Sequence, residues 1–126
     1  MATWVELSQE SLRAAGLALR SECYRSSVSR AYYAAFAAVV SMLDEKGVKF
    51  TKGRYGPSHQ KVPQMIKKHM PGLAIHRRAK LLAAMNLLYK LRLDADYKPP
   101  RTVDLGSARQ SLISATLVLG LLGVRA

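Results

Sequence analysis

The sequence predicts an all-α protein, an antiparallel bundle of four to five helices. Apolar residues recur every three to four positions along five segments, which is the spacing of one helix face. Short connections rich in glycine and proline separate these segments and favour antiparallel neighbours. No run of alternating β-branched residues predicts a strand. We interpret residues 1–126 as a single domain.

The first two helices are predicted from their ends and their apolar faces. Thr3 and Glu6 have the spacing of a capping box, which predicts a helix over residues 5–20. The second helix is expected over residues 24–46, with Gly47 just past its end. This second helix is rich in alanine and contains Tyr32, which falls on its core face.

Helix-breaking residues delimit the remaining helices. Glycine and proline predict a loop over residues 48–57 and a stop at residues 71–72, and paired prolines stand at positions 99 and 100. The helices between these breaks are expected over residues 58–69, 75–96 and 103–123. Ser58 is expected to cap the first of them, and Thr102 or Asp104 the last. The last helix is apolar nearly all round beyond Leu112, which implies burial on several sides or a subunit interface.

Positive charge is the main compositional clue to a ligand. The chain has 20 Lys and Arg against 8 Asp and Glu, a net charge of +12. This excess predicts attraction to a polyanion such as RNA, DNA or an acidic protein. The longest apolar segment, residues 117–124, is too short to span a bilayer, which takes about 20 residues. A single cysteine, Cys23, and an N-terminus unlike a signal peptide favour a cytoplasmic location.

The sequence lacks the patterns that are typical of several classes of functional site. The 3 histidines are scattered, and no metal-ligand spacing occurs among them. The chain also has no phosphate-cradling P-loop and no nucleophile elbow. We therefore expect neither a metal nor a cofactor.

Arg92 and Asp96 lie four residues apart on the fourth predicted helix, and three interpretations stay open. In the first interpretation they form an exposed intrahelical ion pair worth about 0.3 kcal/mol. In the second they join a network in which Arg30 pairs with Asp96 across two helices. In the third interpretation they line a cleft that binds phosphate, for which a planar guanidinium is better suited than lysine. Tyr33 shares a helix face with Arg30, so both are candidates for binding substrate or nucleotide.

Two distant segments carry a family resemblance. The second helix reads SRAYYAAF over residues 29–36, and the fourth ends in RLDADY over residues 92–97. Together they resemble motifs of HEPN domains (higher eukaryotes and prokaryotes nucleotide-binding domains), in the branch with SRAYYAAF and RxxADY. The resemblance implies a helical-bundle homodimer that binds RNA or nucleotide. It also implies a small nucleotidyltransferase as partner, often in a toxin–antitoxin or defence pair.

Many members of that family are metal-independent ribonucleases with an Arg-x(4–6)-His motif. Here Tyr97 stands where the histidine would fall after Arg92. A phenol is a poorer base than an imidazole near neutral pH. Whether the chain cleaves RNA therefore stays open; if it does, we expect Arg92 with Asp96 or Tyr97 to carry the reaction and Arg30 to position them. In related modules the partner transferase modifies a tyrosine near this helix end.

A literal Arg-x4-His spacing occurs at Arg54 and His59, although it arises easily by chance in an arginine-rich chain. The two residues lie in a cationic, glycine-containing segment before a helix N-terminus, an arrangement suited to phosphate. Both are therefore expected to contact RNA or nucleotide. The alternative function is a non-catalytic helical scaffold whose basic surface docks an acidic partner protein. A DNA-associated protein is a third interpretation, although no helix carries a stripe of polar base-reading residues.

Overall fold

The computed structural model describes residues 2–48 and 58–125, and within them it confirms the all-α fold class. Its helices begin and end close to the predicted bounds. They are α1 (Trp4–Arg20), α2 (Tyr24–Glu45), α3 (Val62–His69), α4 (Ile75–Tyr97) and α5 (Leu105–Leu121), with a 3-10 turn at His59–Lys61. Residues 49–57, where most of the predicted loop falls, lie outside the described residues.

The predicted caps of the first and last helices are confirmed. The Thr3 hydroxyl oxygen accepts a hydrogen bond from the Glu6 backbone N–H at 3.1 Å. Asp104 accepts one from the Ser107 backbone N–H at 2.9 Å, so α5 begins at Leu105 rather than at position 103. This backbone bond and a second bond from the Ser107 hydroxyl hold the pKa of Asp104 below its usual range.

The start of the third helix differs from the prediction. Ser58 makes no side-chain capping bond, and the chain enters a 3-10 turn before α3 begins at Val62. Pro63 lies in the first turn of α3, where a missing backbone N–H costs nothing. The short turn places His59 ahead of α3 and against α2.

Helix α2 lies at the centre of the bundle and contacts α1, α4 and α5. Its alanines, including the fully buried Ala34 and Ala35, leave room for neighbouring helices to pack closely. Two buried serines fasten α1 to α2, because Ser8 donates to the Ala34 carbonyl at 2.6 Å and Ser27 donates to the Ala15 carbonyl at 2.8 Å. Small residues and satisfied hydroxyls therefore fix the position of α2.

Helix α5 packs on α2 and α4 but keeps one apolar strip on its outer surface. Ile113 and Leu117, one turn apart, are 70% and 43% exposed. We call these two residues the α5 strip. None of the described helices has the length and apolar character needed to cross a bilayer.

Candidate functional site

Helices α2 and α4 bring four of the predicted site residues into one hydrogen-bonded group. Arg92 donates from Nε to Asp96 Oδ2 at 3.1 Å, and from Nη2 to the hydroxyls of Tyr33 and Tyr97 at 3.0 and 3.1 Å. Tyr33 comes from α2 and the other three from the last turns of α4. The two sequence motifs therefore meet in space.

Arg92 is a nearly buried cation, with only 7% of its surface exposed. Its guanidinium carbon lies 5.5, 5.4 and 5.2 Å from the ring centres of Tyr32, Tyr33 and Tyr97. Burial alone would lower the pKa of Arg92, but the tyrosine oxygens and the Asp96 carboxylate outweigh it and raise the pKa. The group therefore keeps its positive charge at physiological pH.

One edge of this guanidinium makes no hydrogen bond to the described residues. Within residues 2–48 and 58–125, Nη1 of Arg92 has no hydrogen-bond partner, whereas Nε and Nη2 are fully engaged. Nη1 therefore carries two N–H donors, held in one orientation, that no described residue engages.

His59 belongs to the same site. Its Nδ1 lies 2.6 Å from the Tyr32 hydroxyl, and its ring packs 4.3 Å from Phe36 and 5.9 Å from Tyr33, centre to centre. Burial and the neighbouring Arg92 charge both lower the pKa of His59. The imidazole is therefore neutral at pH 7. His59 thus joins the site residues of α2 and α4 in a single cluster. We call Tyr32, Tyr33, His59, Arg92, Asp96 and Tyr97 the Arg92 cluster.

The hydrogen bond to Tyr32 selects the tautomer of His59. Burial raises the pKa of Tyr32, so its hydroxyl keeps its proton and needs an acceptor. The acceptor that the structure places beside it is Nδ1 of His59. With Tyr32 as the donor in this bond, the proton of the neutral imidazole resides on Nε2, and His59 offers an N–H donor at that atom rather than a basic lone pair.

The predicted pairing of Arg30 with Asp96 is wrong. Arg30 is exposed, and its guanidinium lies over the Tyr33 ring at 5.0 Å from the ring centre. Asp96 instead accepts hydrogen bonds from Arg92 and from the Ser29 hydroxyl, the latter at 3.2 Å. Adjacent helical positions differ in direction by about 100°, so Ser29 faces α4 while Arg30 points to the surface.

A groove adjoins the Arg92 cluster between α4 and the start of α3. Its volume is about 250 Å³. Its lining combines aromatic, apolar and amide side chains, namely Tyr32, His59, Gln60, Val62, Pro63, Met85, Asn86 and Tyr89. We call it the Tyr89 groove. In the part of the chain that the structure describes, no three His, Cys, Asp or Glu side chains converge to hold a metal ion.

Comparison with known families adds a match along almost the entire chain. A family model described as the HEPN domain matches residues 1–124. The chain belongs to the HEPN family. No curated protein matches it individually. As a HEPN domain, the chain is a nucleotide- or RNA-related module at the level of its family.

Among the predicted site residues of this HEPN domain, Arg54 lies outside the described residues. Tyr97 is 63% exposed, and its hydroxyl accepts a hydrogen bond from Arg92. Tyr97 therefore forms the outer wall of the Arg92 cluster.

The sequence interpretation missed Arg25, which holds the end of α4 in this HEPN domain. Its guanidinium donates to the backbone carbonyls of residues 94, 95, 98, 99 and 101, at distances from 2.5 to 3.4 Å. The last carbonyls of a helix have no intrahelical partner. Backbone N–H groups of Lys98 and Arg101 reach the carbonyls of residues 94 and 98, whereas Pro99 and Pro100 have no N–H to donate to the others. The paired prolines are the only sequence signal that such a partner is needed.

Proposed function

We propose that this HEPN protein binds single-stranded RNA through the Arg92 cluster. The observation that carries the proposal is the Nη1 edge of Arg92, which no described residue engages. The charge of Arg92 is nearly buried, and two tyrosines and Asp96 orient it. Such a rigid guanidinium suits the paired oxygens of a phosphate.

The net charge supports an RNA ligand by adding long-range attraction. Exposed cations gather where α3 meets α4, at Lys67, Lys68, Arg77 and Lys80. They lie on the same helix as Arg92 or on its neighbour, and they attract phosphates without reading sequence. We therefore expect RNA affinity to fall steeply as salt is added.

The hydrogen bonds of the cluster favour binding over metal-independent cleavage. The position after Arg92 that would carry a histidine holds Tyr97. With the Tyr32 hydroxyl as the donor to Nδ1 of His59, the imidazole proton is on Nε2. Neither group is a ready acceptor for the proton of a ribose hydroxyl. A binding role needs only the donors that Arg92 and His59 present.

Three finer features of the proposal rest mainly on the family. We place the protein in the cytoplasm, in a toxin–antitoxin or defence module with a small nucleotidyltransferase encoded beside it. We also propose a homodimer, which the exposed α5 strip supports. A nucleotidyltransferase gene next to the gene of this protein would support the proposed partner.

The decisive experiment compares Arg92→Lys with Arg13→Lys, an exposed position on α1. Both changes keep the charge, but only the first removes the planar donor pair. We expect Arg92→Lys to weaken binding of a fluorescein-labelled, mixed-sequence RNA of about twelve nucleotides roughly tenfold, the equivalent of about 1.4 kcal/mol. Arg13→Lys should bind like the wild type in the same fluorescence anisotropy titration.

Equal affinities of the two variants would show that net charge alone attracts RNA. Absence of binding at low salt would overturn the proposal altogether. Cleavage of the RNA by the wild type in the presence of EDTA, lost in His59→Gln, would show that the cluster is catalytic.

A further inference from the structure

The Tyr89 groove has features that phosphate binding does not use. Two exposed amide side chains, Gln60 and Asn86, line it, one from the 3-10 turn and one from α4. The lining also includes the buried apolar side chains of Val62 and Met85. A groove that combines apolar side chains with exposed amides suits a flat ligand with hydrogen-bonding edges.

Tyr89, which lines the groove, lies about one helical turn before Arg92 on α4. Asn86, Tyr89 and Arg92 follow one another at three-residue spacing along α4, so each is about 4.5 Å further along the helix axis. Tyr89 is half-buried, and its ring centre lies 5.9 Å from that of Tyr32. A group bound beside Tyr89 would therefore lie next to a phosphate on Arg92, as the base of a nucleotide lies next to its own phosphate.

The size of the groove fits one base. Its volume of about 250 Å³ is slightly below the range of about 300–1,000 Å³ typical of pockets for larger small molecules. Among the described residues, the groove lining includes no Lys or Arg, and its histidine is neutral. It therefore offers little to an acidic side chain of a protein partner.

We propose that the Tyr89 groove is a nucleobase subsite that prefers adenine. The base stacks against Tyr89, and the amides of Asn86 and Gln60 bond to its edge. An amide accepts from the adenine amino group and donates to a ring nitrogen, which is the usual pairing of Asn or Gln with adenine. Stacking on tyrosine is common in the recognition of unpaired RNA bases. This inference rests on the proposed function, because it takes its phosphate anchor from Arg92.

The test uses fluorescein-labelled oligoadenylate and oligouridylate of about eight nucleotides, titrated against the full chain. We expect the wild type to bind oligoadenylate roughly tenfold more tightly than oligouridylate, because one amide–base pair provides about that much discrimination between bases. Asn86→Ala and Gln60→Ala should each lose most of this preference and keep their affinity for oligouridylate. Gln110→Ala, an exposed amide on α5, is the matched control and should keep the preference.

Equal wild-type affinity for the two RNAs would overturn the base subsite. If that binding still weakened in Arg92→Lys, RNA binding at Arg92 would stand and only the subsite would fail. Loss of preference in Gln110→Ala as well would also count against the groove.

A competition with mononucleotides and an acidic polymer tests the ligand class. AMP that displaces oligoadenylate at lower concentration than UMP would support the subsite and show that a free nucleotide suffices. AMP and UMP of equal potency would contradict it. Displacement by polyglutamate at the same concentration from wild type and Asn86→Ala would overturn it and indicate an unselective anion surface.

Discussion

At the scale of single residues, Arg92 is the centre of the proposed binding surface between α2 and α4. A buried arginine without partners would be strongly destabilising. Tyr33, Tyr97 and Asp96 satisfy Nε and Nη2, and the rings of Tyr33 and Tyr97 lie beside the guanidinium. The network stabilises the charge, and among the described residues Nη1 has no hydrogen-bond partner, which is the basis of the proposed phosphate contact.

His59 provides a pH-dependent prediction at the same scale. Its pKa is lower in the folded protein than the value near 6.5 expected in the unfolded chain. Below that value the unfolded chain holds more protons at this site than the native state does, so acid favours unfolding. We expect the contribution of His59 to be complete above about pH 6.5 and to be lost as the pH falls further. Urea unfolding across this range, for wild type and His59→Gln, measures it.

The expected result is a wild-type advantage over His59→Gln that shrinks on acidification. His76→Gln, at an exposed position of α4, is the matched control and should follow the wild type at every pH. An advantage of His59 that grows on acidification would contradict the assigned direction of the pKa shift.

At the scale of elements, the end of α4 depends on α2 through Arg25. Hydrogen bonds to a charged donor are worth about 1.5–3 kcal/mol. Arg25→Met keeps much of the apolar stem but removes every donor to the five carbonyls. We expect the free energy of unfolding to fall by about 2 kcal/mol and the melting temperature by roughly 8 °C. Thermal unfolding followed by circular dichroism checks this.

Arg13→Met on the exposed face of α1 is the control for that experiment and should leave the melting temperature almost unchanged. Equal shifts in the two variants would mean that the carbonyl contacts of Arg25 do not stabilise α4. Because Asp96 and Tyr97 lie at that end of α4, Arg25 is also a positioning residue for the Arg92 cluster.

At the scale of the whole molecule, the α5 strip predicts self-association. Ile113 and Leu117 are apolar side chains on one face of a helix whose other faces pack on the bundle. Replacing both with Glu would place two charges in the proposed dimer interface, at a large cost in desolvation. We expect the wild type to be a dimer and the double variant a monomer by size-exclusion chromatography with light scattering.

Ile75→Glu supplies the comparison, because Ile75 is 79% exposed but lies at the start of α4. It should remain dimeric. A monomeric wild type, or dissociation caused by Ile75→Glu rather than by the α5 changes, would contradict an interface on α5.

The amino-acid sequence by itself determined the helices and most of their ends. Breakers, caps and apolar spacing are local signals, and local backbone preferences act within a few residues. Thr3 and the paired prolines accordingly predicted their helix ends to within one residue, and Asp104, one of the two predicted caps of the last helix, caps α5. The start of α3 was predicted less well. Ser58 makes no capping bond, because the chain forms a 3-10 turn there that packs His59 against α2.

Only the tertiary structure decided which side chains meet. Arg30 and Ser29 are neighbours in sequence, yet packing of α2 on α4 turns Ser29 toward Asp96 and leaves Arg30 at the surface. Packing likewise brought His59 to Tyr32 and Arg25 to five carbonyls, contacts between residues far apart in the chain. Such contacts depend on the relative rotation of whole helices, which is fixed by the packing of many small residues at once.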